Sequence, residues 1–151
     1  MDLAKILPDP VVVIPEDQRK GRVRIGSDLC SIDDEHFFVR AVLYVPIRKT
    51  TEELGFGVWG SLAKQNFQIY ENDYDNPDPA FGPFFSWLSS SLPLYDDAFT
   101  LKSEMVFQPN NQRPHIRLHE CDHPLVIDQR EGISVDRVKE IYAAWGHSVL
   151  L

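Results

Sequence analysis

The sequence predicts an α+β fold: a single domain with a mainly antiparallel β-sheet and two or three helices packed on one face. Three observations carry that expectation. Residues 22–47 alternate apolar and polar side chains around Asp33-Asp34, which reads as an antiparallel hairpin. Val135, Val138, Ile141, Tyr142 and Trp145 recur at helical spacing behind Ser134. Between these ends the elements read in the order β-β-β-α-β-β-α-α. The chain has 151 residues, the length of one domain and enough to bury a substantial core.

Each element has a local reason. Residues 1–20 read as an arm preceding the domain of residues 21–151. Pro8, Pro10 and Pro15 forbid a long helix there, and residues 11–14 suit a short edge strand. Val23, Ile25 and Leu29 then point one way, and Arg24, Asp28 and Cys30 the other. Phe37, Val39, Ala41, Leu43, Val45 and Ile47 share one face of a long second strand. A turn centred near Asp34 sets Asp28 opposite Arg40, the arrangement of a cross-strand ion pair. Residues 56–62 form a third strand, loosened by Gly55, Gly57 and Gly60. Ser61 is a candidate cap for a helix over residues 62–72.

Residues 72–79 are a Pro- and Asp-rich loop. Residues 81–94 are rich in aromatics but broken by Pro83 and Pro93, so they take no single assignment. Residues 99–107 and 115–119 alternate as strands. Asp122 caps a short helix with Pro124 in its first turn, ending near Gly132. Ser134 caps the last helix.

The composition is 43% apolar and 25% charged, ordinary for a globular protein. It excludes a disordered tail, a coiled coil, a collagen and a membrane channel. The net charge of −8 is segregated: residues 51–100 hold eight acidic side chains against Lys64 alone. Such a field repels nucleic acid and steers a cationic partner. Arg19-Lys20-x-Arg22-x-Arg24 is the one basic run, and its alternation suits a charged sheet edge. No stretch has the length of a signal peptide or a membrane span. Two cysteines make no disulfide framework, so reduced thiols and a cytoplasmic location are expected.

Several stretches together resemble the bacterial domain-of-unknown-function family 2199. They are Ser27-Asp28-Leu29-Cys30, Phe37-Phe38-Val39-Arg40 and Gly57-Val58-Trp59-Gly60-Ser61-Leu62. Gly82 through Trp87-Leu88-Ser89, Leu92-Pro93-Leu94-Tyr95, Leu101-Lys102 and Arg113-Pro114 follow in order. The most specific stretch runs from Asp122-His123-Pro124-Leu125 to Gln129-Arg130-Glu131-Gly132-Ile133. The resemblance implies no established activity. Many members of that family begin with a Cys-x-x-Cys and a nearby His, which looks like a small zinc element. This chain lacks it, since nothing before Cys30 is Cys or His.

No complete catalytic set appears, and no cofactor is expected. His119, Cys121 and His123 share a face of an extended strand and are plausible zinc ligands by type, although i, i+2, i+4 spacing is poor tetrahedral geometry. Cys30 beside Asp28 is a poor nucleophile. Gly60-Ser61 lacks the second glycine of a nucleophile elbow. His123, Gln129, Arg130 and Glu131 gather around one short helix and, with Arg113, suit a small polar site capable of acid–base work. Trp59, Phe81, Phe84, Phe85, Trp87 and Tyr95 lie on irregular backbone beside the acidic Asp73, Asp75 and Asp78. Rings so placed resemble a protein-binding anchor, or else fill the core under a long loop.

The leading expectation is therefore a non-enzymatic module that binds a basic protein, in the manner of an immunity protein or antitoxin. The alternative is a small enzyme or ligand-binding protein with its site around His123 and Glu131.

Overall fold

The computed structural model describes residues 2–5, 7–72, 82–110 and 112–146. The predicted hairpin is present. It joins β3 (Leu29–Ile32) to β4 (His36–Pro46), with Cys30 opposite Phe38. Asp33 and Asp34 both take φ of 54°, the left-handed pair that a tight hairpin turn demands and that Asp tolerates. The expected long first strand is divided. β2 (Val23–Ile25) ends where the Gly26 N–H turns to the Leu29 carbonyl at 2.8 Å.

β4 is the spine of the fold. One of its edges pairs throughout with β5 (Glu53–Leu62), from Phe37 opposite Leu62 to Pro46 opposite Glu53. Its other edge is divided. β3 occupies the first half, and β8 (His115–Leu118) joins in parallel at Val42 opposite His115. From β8 the sheet continues antiparallel through β7 (Lys102–Val106) to β6 (Phe84–Trp87). β1 (Asp2–Ala4) lies parallel to β5 on its far edge. The α+β domain is as predicted, but the sheet is mixed, because β1–β5 and β4–β8 are parallel pairings.

The far edge of the sheet returns to β5. Leu88 bridges Gly60, and the Ser89 N–H donates to the Trp59 carbonyl at 2.8 Å. The Ser61 hydroxyl accepts from the Trp87 N–H at 2.9 Å, so Ser61 is a strand residue that holds this seam and not a helix cap. β5, β4, β8, β7 and β6 thus follow one another around a closed ring, as in a small barrel. Gly60 sits on the inner face. A Cβ there would lie 2.5 Å from Ser86 Oγ and 2.8 Å from Met105 Cε.

The inward side chains of β4 (Phe37, Val39, Ala41, Leu43, Val45) and the buried residues of three helices form one core. α2 (Lys64–Asn72) stacks Phe67 on Phe37 with ring centroids 4.9 Å apart. α3 (Pro124–Glu131) buries Leu125 and Val126. α4 (Val135–Ala144) buries Val138 and Ile141, each worth about 1.5–3 kcal/mol. Ser134 caps α4 as predicted, accepting from the Arg137 N–H. His123, one residue after the predicted Asp122, caps α3.

The opposite face carries a smaller core of Val11, Ile14, Cys30, Ile32, Phe38 and Trp59. Residues 11–14 do not form the predicted edge strand. α1 (Asp9–Val12) is a single helical turn instead, with a proline in its first turn. The fixed proline φ suits that position. The predicted strand over residues 99–107 is shorter, because a tight helical turn over Ala98–Thr100 precedes β7.

Gly60→Val is expected to destabilise the domain by about 1–3 kcal/mol or more, since the ring has no room for a side chain. Urea unfolding compared with Gly26→Ala, where the nearest atom to a new Cβ is 3.8 Å away, measures the effect.

Candidate functional site

The divided edge of β4 brings distant residues together. The Arg40 N–H donates to the Asp28 carbonyl at 2.9 Å, and the Val42 N–H to the Pro114 carbonyl at 2.9 Å. The segments entering β3 and β8 therefore meet at the middle of β4. Arg113 Nε binds Asp28 Oδ1 at 2.8 Å across this junction. Asp28 sits opposite Arg40 as predicted, its charge acts on the Arg40 guanidinium, and it also forms an ion pair with Arg113. Arg40 donates from Nη1 to the Ser27 carbonyl at 3.3 Å and lies over the Trp59 ring at 6.0 Å. Burial, then the neighbouring Arg113, lowers its pKa, and Asp28 opposes them. Arg113, a candidate ligand-binding residue in the sequence, is thus engaged as a clamp between two strand entrances.

Beyond Val42 and His115 the parallel strands part, and backbone groups that would pair across them need other partners. Gln129 of α3 supplies them. Its Oε1 accepts from the Leu118 N–H at 2.9 Å, and its Nε2 donates to the Ile116 carbonyl at 2.9 Å and to the Tyr44 carbonyl at 3.4 Å. One amide side chain stands in for a short length of strand.

The other residues expected around α3 do not converge. His123 and Glu131 lie at opposite ends of the helix, about 12 Å apart at 1.5 Å per residue. His123 Nδ1 accepts from the Leu125 N–H at 3.1 Å, so its Nε2 carries the proton and donates to the Asp96 carbonyl at 2.6 Å. Glu131 sits 3.7 Å from Arg130, which binds Glu120 at 2.6 Å. His119 packs on Phe85 with centroids 5.8 Å apart, and Cys121 is exposed. Among the described residues no group of three or more His, Cys, Asp or Glu side chains is placed to hold a metal ion. Burial pushes the Cys30 thiol up to about 11, which keeps it protonated and inert.

A polar cleft of about 600 Å³ opens where β4 and β8 diverge. Gln129 and Arg130 line it, joined by residues that the sequence reading did not single out: Tyr44, Glu53, His115 and Arg117. The signal for two of them was present, since alternation along residues 115–119 puts His115 and Arg117 on one face. The His115 ring stands edge-on to Tyr44 at 4.9 Å. Partial burial lowers the His115 pKa from its ordinary 6.5, and Glu53 partly offsets this. Arg117 pairs with Glu104 and holds that carboxyl below its usual range.

The aromatic residues divide. Trp59 is 0% exposed and belongs to the smaller core, so it is no surface anchor. Tyr95 is buried, and its hydroxyl donates to Asp128 at 2.7 Å. Phe84 packs against the main core. Trp87 and Phe85 are 44% and 46% exposed, with rings edge-to-face at 5.4 Å and Lys102 over Trp87 at 5.7 Å. A second exposed apolar group, Val12, Val13 and Phe99, lines a cleft of about 620 Å³. Ser89 borders this cleft and also the one beside Phe85 and Trp87. Phe81, Asp73, Asp75 and Asp78 lie outside the described residues.

Fold and surface therefore define a small α+β domain with a polar cleft at a strand divergence and two exposed apolar groups, Phe85 with Trp87 on β6 and Val12 with Val13 and Phe99. The chain belongs to the family described as an uncharacterized protein conserved in bacteria, DUF2199, which it matches over residues 1–133. No curated protein and no solved structure matches it. No helix among the described residues is long and apolar enough to cross a membrane.

Gln129→Leu is expected to cost about 2–4 kcal/mol, because it orphans the Leu118 N–H and the Ile116 carbonyl; denaturant titration reads this directly. His115 gives a pH dependence. In the unfolded chain it takes up a proton as pH falls through about 6.5, while the folded ring resists until lower pH. Stability is therefore lost across that window as pH falls. The drop in urea midpoint between pH 7.5 and 5.5 is expected to be smaller in His115→Gln than in the wild type.

Proposed function

We propose that the protein is a non-enzymatic binding module that engages a basic protein through the apolar face of Val12, Val13, Phe99, Phe85 and Trp87. The observation that carries this reading is two groups of exposed large apolar side chains, Phe85 with Trp87 and Val12 with Val13 and Phe99, in two clefts that Ser89 borders, with Val13 80% and Phe99 47% exposed. Contiguous apolar surface rimmed by polar groups marks an interaction site, and aromatic anchors dominate the energetics of such sites.

Charge supports the choice of partner. Asp96 and Asp97 immediately precede the turn that presents Phe99. Asp9, hydrogen-bonded to the Ser91 hydroxyl, lies at the edge of the same cleft. Lys5 also borders it, but lies over the Trp145 ring at 5.2 Å. Acidic rim residues speed the encounter with a cationic protein, and the apolar anchors then set its lifetime. Neutralisation of a cationic enzyme, as by an immunity protein, is one concrete form of this activity.

The test is retention from a lysate of the source bacterium on immobilised protein. Wild-type protein is expected to hold one stoichiometric basic partner, and Val13→Asp or Phe99→Asp to lose it. Asp96→Lys with Asp97→Asn is expected to slow association, and ~0.5 M salt to do the same, where the Debye length is about 4 Å. Retention indifferent to the apolar substitutions, or no stoichiometric partner, overturns the reading.

A further inference from the structure

The polar cleft between β4, β8 and α3 is separate from the apolar face and has a different chemistry. Its volume of about 600 Å³ lies within the range of small-molecule sites. Pro46 and Val106, both half-buried, give it apolar walls. Carboxylates and guanidiniums enter it from different elements: Glu53 from β5, Arg117 from β8 and Arg130 from α3.

The two arginines are already matched by acids, Arg117 by Glu104 and Arg130 by Glu120. A simple anion would have to enter among those carboxylates and Glu53. Glu53 makes no ion pair with an Arg or Lys side chain among the described residues, so it is available to a ligand ammonium. Partial burial lowers the His115 pKa and so favours its neutral form, with Glu53 partly opposing this. Its ring and that of Tyr44 form a firm wall. The complement of this arrangement is a molecule with one positive end, one negative end and an apolar body between or beside them.

We propose that the cleft is a second binding site, for a small zwitterion with an apolar side group, of the free amino acid or dipeptide class. The ammonium pairs with Glu53. The carboxylate is shared by Arg130 Nε and Arg117 Nη1, the guanidinium donors that the Glu120, Glu131 and Glu104 pairings leave over, while the ligand's own ammonium offsets the surrounding carboxylates. The side group rests on Pro46 and Val106.

The probes are leucine, phenylalanine and leucyl-leucine, titrated to about 10 mM, a range that captures weak millimolar affinities. The His115 ring resonances report binding. Phenethylamine and 3-phenylpropionate carry one charge each and serve as the two halves. A saturable shift with at least one zwitterion is expected, with each half weaker by about tenfold or more, the scale of one charged hydrogen bond. Glu53→Gln and Arg130→Gln are each expected to weaken it similarly while leaving the melting temperature near wild type, since both side chains are exposed. No saturable shift with any zwitterion overturns the proposal. So does a half that binds equally well, or a pair of variants that bind like the wild type. Val13→Asp is expected to leave this titration unchanged, so loss of the protein partner and loss of the small ligand are read separately.

Discussion

The structure depends on how the second edge of β4 is satisfied. A strand in the middle of a sheet must give its N–H and C=O groups partners on both sides. β5 serves one side along its full length. The other side is served in sections by β3, then β8, then the Gln129 side chain, and at its end by the Ile133 N–H on the Pro46 carbonyl. Each handover is secured separately. The Asp28–Arg113 ion pair fastens the entrances of β3 and β8, and Gln129 spans the gap where β8 departs. An exposed ion pair alone contributes little, but this one fixes where two chain segments begin. The cleft exists because the third section of the edge is filled by a side chain instead of a strand.

Much of this was legible in the sequence. The alternation of residues 37–47 gave the spine strand, the Asp33-Asp34 pair its turn, and Ser134 the start of the last helix, all from local rules. Departures arose where a distant contact overrode a local preference. Ser61 has the side chain of a helix cap, yet the Trp87 N–H claims it. Asp122 is the better cap by type, but His123 caps α3 and also reaches the Asp96 carbonyl. Trp59 sits among glycines, a setting that suits a surface anchor or a core side chain alike, and Val11, Cys30 and Phe38 enclose it. No single-strand pattern reveals a parallel partner, so the β4–β8 pairing was not visible.

The candidate site was legible in composition more than in geometry. Gln129 and Arg130 do border the cleft, but His123 and Glu131 occupy the two ends of a helix and cannot act together. Arg113, a candidate for the polar site around His123 and Glu131, is held in a clamp with Asp28. The aromatic cluster split because period-2 alternation sends neighbours to opposite sides. Ser86 is buried between Phe85 and Trp87, which therefore share the outer face. The two surfaces that remain differ in kind, one apolar with an acidic rim and one polar with balanced charge, and they call for different partners.

Closure of the ring at Gly60 and Leu88 also has a kinetic side. The seams that complete it, Val42 with His115 and Gly60 with Leu88, join positions far apart in the chain, whereas β4 with β5 and β7 with β8 are local hairpins. Loop-closure entropy must be met before non-local seams give anything back. That cost favours formation of the local hairpins ahead of the β4–β8 seam that joins the two halves. Until it does, the inner faces of β4 and β7 stay open to water, and the time spent in that state governs how readily the chain aggregates as it folds.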